Sequence, residues 1–273
     1  AAREDPDRYR TIWEQFGLFF KEGIATTPED HGRLKKLLRF HSSATGPAGW
    51  TALAEYVGRM KDGQDAIYFL FGEDLSSITR SPHLDPFKAT GTEVLYLTEP
   101  VDSFMMVAMR DFEGHPFKNI ADADTDAPET EAAPGDRIPD DLFNPLLKRF
   151  NEVLGERVIV VREGKRLTES PVRLVAADGA LGDSMERVRK YIDQDLEASK
   201  KVMEVNRHHP LIHDLALALQ RDAMDPLVPE MIEQLLENAL LVEGIHPNPA
   251  EMVGRIQAIM AAAAKARAGT AER

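Results

Sequence analysis

The chain has no cysteine in 273 residues. That excludes disulfides and thiolate chemistry and fits a reducing compartment such as the cytoplasm. No apolar run approaches the roughly 20 residues a membrane-spanning helix needs, and the polar start AAREDPDR has none of the features of a secretory signal. A basic excess is missing as well. Lys and Arg number 33 against 46 Asp and Glu, for a formal net charge of -13. With no surplus of cations to displace phosphate counterions, nucleic-acid binding is disfavoured, and the acidity reads as a solubility feature. There is no glycine-rich phosphate loop of the P-loop or dinucleotide type, no nucleophile elbow and no internal repeat. An initiating methionine is absent and the chain opens inside a helical pattern, which reads as a piece cut from a longer gene product.

What is present is ordinary globular material, 43% hydrophobic and 29% charged, with length for about two domains. The first third reads as helical. Ile12, Phe16, Phe19 and Phe20 recur at helical spacing, and Gly23 lies where that helix would stop. Thr27-Pro28-Glu29-Asp30 is a helix start, with a capping threonine, a first-turn proline and carboxylates at the positive end of the dipole. The helix it opens would carry Leu34, Leu37, Leu38 and Phe40. A third helix is expected over 50–60, with Leu53, Tyr56, Val57 and Met60 on one face. The period then changes. Runs at 66–71 and 93–98 are apolar without alternation and are separated by helical material at 76–79 and 82–89, which reads as a parallel βαβ unit with a right-handed crossover. A helix over 101–109 follows, so this part is α/β.

Residues 121–141 hold eight carboxylates against one basic residue, Arg137, and no aromatic residue. Such a stretch buries too little to order itself and reads as a linker. Beyond it a helix is expected over 142–153 and strands over 158–162 and 172–176, bridged by Glu163-Gly164-Lys165. Four helices should follow, over 184–202, 211–220, 229–242 and 250–263, with a fraying alanine-rich tail over 261–273.

Sites for chemistry are few. His209 and His213 are four apart in NRHHPLIHD, a spacing that can hold zinc from one helix face. Pro210 between them makes a capping or interface role for His209 the simpler reading. Glu73, Asp74, Glu99 and Asp102 follow the two strands, on the edge where α/β sites gather, and are as readily helix caps and surface charge. Apolar stripes are the stronger signal. Phe104, Met105, Met106 and Met109 form a soft, adaptable cluster that can serve as core or as a docking surface. Met185, Val188, Ile192 and Leu196 make one apolar line on an otherwise charged helix, and could equally pack on their own domain. In the last two helices Leu235, Leu236, Leu240, Ile256 and Met260 belong to stripes wider than one partner helix needs. They suit either a four-helix bundle across a two-fold axis or an intrachain bundle in a monomer.

Between Ile12 and Ile120 the words IWEQFGLFFKEGI, RLKKLLRFHSS, EYVGRMKDGQDAIYFLFGE, SPHLD, EVLYLTEPVD and DFEGHPFKNI stand in an order that resembles the later part of the middle domain of the heat-shock protein 90 chaperones, most closely the bacterial members. Residues 137–260 resemble the C-terminal dimerisation domain of the same family. The resemblance implies residues 1–120 as part of a client-binding middle domain, 121–137 as an acidic linker and 138–273 as the dimerisation domain. The expected fold is α/β, a helical coil plus a small parallel-sheet βαβ subdomain, followed by an α+β dimerisation domain ending in a helical hairpin. It further implies a molecular chaperone that binds unfolded or partly folded clients through Phe104, Met105, Met106, Met185, Val188, Ile192 and Leu196. Homodimerisation would run through Leu235, Leu236, Leu240, Ile256 and Met260. ATP and magnesium belong to an N-terminal domain of the parent protein, so this chain is expected to carry no catalytic residue, cofactor or metal and to be no enzyme by itself. Bacterial members often have tryptophan at the position of Phe104 and an acidic residue at that of Ser103, and relatives can carry a second methionine at that of Arg189. The ending GTAER is not the MEEVD tail of the eukaryotic cytosolic members, so recruitment of co-chaperones through that tail is not expected. A cytoplasmic protein with no nucleic-acid or membrane partner follows. Two other classes stay open on the residues alone: a stand-alone α/β enzyme acting on a small acidic metabolite, and a structural dimerisation scaffold.

Overall fold

A computed structural model of the chain describes residues 5–122, 137–176, 183–192 and 199–270. In chain order the first half runs α1 (Pro6–Thr26), α2 (His31–Leu34), β1 (Phe40–Ser42), β2 (Gly46–Thr51), α3 (Leu53–Val57), β3 (Ile67–Phe71), α4 (Leu75–Thr79), α5 (Asp85–Thr90), β4 (Leu95–Leu97), α6 (Pro100–Ala108), β5 (Asp111–Phe112) and β6 (His115–Asn119). The second half runs α7 (Asp140–Leu154), β7 (Val161–Glu163), β8 (Val172–Val175), α8 (Asp183–Ile192), β9 (Val202–Val205), α9 (Pro210–Arg221), α10 (Leu227–Val242) and α11 (Met252–Thr270). These elements form two compact units. One takes in the described residues of the ranges 1–80, 87–127 and 178–198, the other those of 81–86, 128–177 and 199–273. Most of the expected acidic linker lies outside the described residues.

The first unit is built on a six-stranded mixed sheet in the order β2-β1-β4-β3-β6-β5. The expected parallel βαβ is its centre. β3 and β4 run parallel, with Phe69 opposite Leu95, and every residue of both strands is buried, which is why neither alternates. β6 adds in parallel to the other side of β3, and β5 returns through a two-residue turn at Glu113 and Gly114. Both turn residues have positive φ, 51° and 87°, as a type I′ hairpin requires.

Three local expectations change here. Gly23 does not stop α1, which continues to Thr26. A Cβ on Gly23 would stand 2.9 Å from Leu34 Cδ1, so the glycine serves close packing of α2. The helix expected through Phe40 ends at Leu34, because Phe40 opens β1 against Thr51 of β2. Trp50 likewise lies in β2, its ring 3.8 Å from that of His41, and the expected helix over 50–60 shrinks to α3. In the last two cases strand pairing outweighs local helical preference. Along α1 the inward line is Tyr9, Trp13 and Ile24, while Phe16 and Phe19 of the expected stripe stand in solvent.

The second unit has a three-stranded sheet in the order β7-β9-β8. The two expected strands do not pair with each other, because β9 lies between them, parallel to β7 and antiparallel to β8. That strand begins at Val202, the last residue of the helix expected over 184–202, of which α8 forms the described helical part. Phe143, Leu146 and Phe150 of α7, Met203 and Val205 of β9, Ile212 of α9 and Ile232 of α10 fill the core. Arg162, Glu204 and Arg173 face one another across the three strands. The Glu204 carboxylate accepts from Arg162 Nη2 at 2.9 Å and from Arg173 Nε at 2.7 Å. The last helix does not fray at 261, but runs on to Thr270.

Candidate interaction surfaces

The orientation of α6 is set at its first turn. The backbone N–H of Glu99 donates to Asp102 Oδ2 at 3.0 Å, and Pro100 supplies the preset φ of a first helical residue. Lys21 of α1, itself buried, places Nζ 2.6 Å from Glu99 Oε2 and 2.7 Å from Asp102 Oδ1. Burial pushes the Asp102 carboxyl above its ordinary range, and the Lys21 ammonium pulls against that shift. With Asp102 and Ser103 held inward, Met105, Met106 and Met109 follow into the core of the unit, while Phe104 (36% exposed) and Val107 (42% exposed) face out. Of the α6 residues expected to meet a client, only Phe104 is at the surface. Val107, which the sequence reading passed over, stands three positions on, one turn along the same helix.

α8 packs alongside α6. Arg187 lies over the Phe71 ring at 5.1 Å, which leaves Met185 exposed at 37%, Ile192 at 77% and Val188 half-buried. Leu196 lies outside the described residues. Two apolar stripes about eighty residues apart in sequence thus lie on neighbouring helices of the first unit.

The other surface is the hairpin of α10 and α11, turned at Gly244 (φ 68°). Leu235 and Leu236 are buried in the core of the second unit and Leu240 is packed at its margin, whereas Ile256 and Met260 are exposed. Val253 and Leu241 are exposed too and extend the apolar face beyond the residues picked from sequence. α11 packs on α10, and its buried and half-buried side chains among the described residues, Met252, Arg255, Ile259 and Ala262, form a single line. Arg255 donates to Glu230 at 3.2 Å and to Glu233 and Glu237, and Arg157 pairs with the last two at 3.6 and 3.4 Å.

Several of the remaining polar groups have structural roles. His209 Nδ1 accepts the N–H of Leu211 at 3.1 Å and caps α9. Burial depresses its pKa, opposed by the charge of Asp85. Among the described residues no three metal-ligating side chains converge. Asp74 caps α4 by accepting from Ser77 N–H at 2.8 Å. Within the second unit Asp85 Oδ2 accepts three successive backbone N–H groups, of Thr168, Glu169 and Ser170, at 3.3, 3.0 and 2.9 Å. Buried His83 places Nε2 2.8 Å from Glu243 Oε1 at the end of α10. No spacing in the sequence signals either contact. Among the described residues no helix is long and apolar enough to cross a membrane.

The family profile described as Hsp90 protein matches residues 1–272. Chaperone protein HtpG of Chlorobium phaeovibrioides is 36% identical over 266 residues, covering 97% of this chain and 43% of that protein. The protein of that name from Myxococcus xanthus is 39% identical over 246 residues, covering 89% of this chain and 37% of its own length. That of Roseobacter denitrificans is 37% identical over 273 residues, covering 95% and 43%. The chain thus spans about two fifths of the length of the curated relatives it matches.

Proposed function

Since this chain belongs to the Hsp90 protein family, we propose that it is the client-holding and dimerising portion of a cytoplasmic chaperone whose ATP- and magnesium-binding domain lies elsewhere in the whole protein. The observation that carries the reading is the meeting of α6 and α8, where Phe104, Val107, Met185 and Ile192 leave apolar surface in water. Adaptable apolar surface of this kind suits unfolded or partly folded segments of unrelated sequence, and methionine adds polarizable contact without fixed shape. Met105 and Met106, buried next to Phe104 in α6, and half-buried Val188, between Met185 and Ile192 in the α8 stripe, are assigned to the same surface, and Leu196 continues the line in sequence. ATP-driven closure in the whole protein would alter how clients are held, and the part described here would keep two protomers together.

Homodimerisation through α10 and α11 is the second half of the proposal. Val253, Ile256 and Met260 lie at i, i+3 and i+7 on the exposed side of a helix whose buried and half-buried side chains, among the described residues, form one line. A second hairpin across a two-fold axis would cover them, with Leu235, Leu236 and Leu240 supporting the contact from within. Permanent interfaces of this type bury about 2,000 Å² or more.

Light scattering of residues 1–273 over a wide concentration range, paired with suppression of aggregation of several unrelated heat-denatured clients, tests both halves. A persistent dimer that slows aggregation is the expected result. A monomer at every concentration overturns the dimer, and aggregation curves indistinguishable from those of an inert protein overturn the client surface.

A further inference from the structure

α11 presents two lines of side chains one residue apart. The inward line is Met252, Arg255 and Ile259; the outward line is Val253, Ile256 and Met260, each residue directly following its inward counterpart. Rolling the helix by one residue, about 100° about its axis, would exchange them. On apolar burial alone the rolled position is the better one. It would place one more apolar side chain against α10 and release Arg255 to water, the usual preference for a lone charged residue.

What opposes the roll is ionic. Glu230, Glu233 and Glu237 recur at i, i+3 and i+7 along one face of α10, and the Arg255 guanidinium reaches all three. Glu237 is largely buried beneath it, with 10% of its side chain exposed, and Arg157 meets only Glu233 and Glu237 from the other side. Rolling α11 would strip three carboxylates of their shared cation and leave Glu237 with one long contact to Arg157. Removing one partner from a buried ion pair is strongly unfavourable.

We infer that Arg255 is a positioning residue that selects the outward-facing arrangement of Val253, Ile256 and Met260, and so keeps the hairpin competent to pair with a second copy of this chain. The inference rests on the dimer reading for its consequence, while the rotation of α11 stands on the contacts within one chain. It is the helical counterpart of a polar residue that fixes register in a coiled coil at some expense of stability.

The test is Arg255→Gln in the full chain, which removes the cation without adding an apolar side chain to the inward line, with two readouts: dimer dissociation constant by sedimentation equilibrium, and peroxide oxidation of Met260 followed by peptide mass spectrometry in dilute, monomeric samples. The expected result is a dissociation constant raised at least tenfold and Met260 oxidised several-fold more slowly than in the parent monomer. Equal dimer affinity, or unchanged Met260 oxidation, overturns the inference. If Arg255→Gln does not fold, the double variant Glu233→Gln/Glu237→Gln removes two of its three partners, the buried Glu237 among them, and is read identically. A parent chain that stays monomeric sinks the dimer reading alone, since Met260 oxidation still reports the rotation.

Discussion

Asn151 closes both outward-facing backbone groups of Val161. Its Oδ1 accepts the Val161 N–H at 3.0 Å, and its Nδ2 donates to the Val161 carbonyl at 3.2 Å. Val161 sits in β7, an edge strand whose other side pairs with β9. One side chain of α7 therefore does for this edge what a neighbouring strand would do, and blunts a template for unwanted pairing. Asn151→Ala should lower stability of the second unit by about 1–3 kcal/mol, the range for leaving backbone groups unsatisfied. Chemical denaturation would register it, and an unchanged midpoint would show that water replaces the amide at no cost.

The Lys21–Asp102 pair predicts a pH dependence of one sign. Asp102 titrates above its ordinary 3.8 because it is buried, with Lys21 opposing the shift. In the window just above 3.8 the folded state holds a proton that the unfolded state has lost, so this group makes stability fall as pH rises. Asp102→Asn should remove that component of the stability–pH profile of the first unit. A profile identical to that of the parent would contradict it.

Glu204 predicts the opposite sign. Burial alone would raise its pKa, but Arg173 and Arg162 more than offset burial and hold it below its ordinary 4.5. Its contribution is present above 4.5 and is lost as pH falls through the folded-state value. Glu204→Gln should flatten the acid limb of unfolding of the second unit. Removing one member of a largely buried charge cluster should also cost about 3–5 kcal/mol at neutral pH, visible as a lower denaturation midpoint.

Phe104→Ser with Ile192→Ser should weaken aggregation suppression several-fold while leaving circular dichroism and the dimer unchanged, since both side chains are exposed. Met185→Ser with Ile192→Ser should act in the same direction. Retention of full holding activity by both folded variants would remove α6 and α8 from the client surface.

Much of this architecture was readable from residue order. Ile67–Phe71 and Leu95–Leu97 announce buried parallel strands because both faces are covered and the apolar run cannot alternate. α9 and α10 announce themselves by long apolar periodicity. Short strands were hidden: Phe40–Ser42 and Val202–Val205 each follow a helical pattern and become strands only through partners far along the chain. The same division holds for the surfaces. Sequence placed Phe104, Met105 and Met106 on one helix and Ile256 and Met260 on another, which is a matter of spacing. Which of them face water depends on rotation, and rotation is decided by Lys21 reaching Asp102 and by Arg255 reaching Glu230, Glu233 and Glu237. Periodicity along one helix carries no information about the charge that another helix brings to it, so only the tertiary contacts could settle which stripe is core and which faces water.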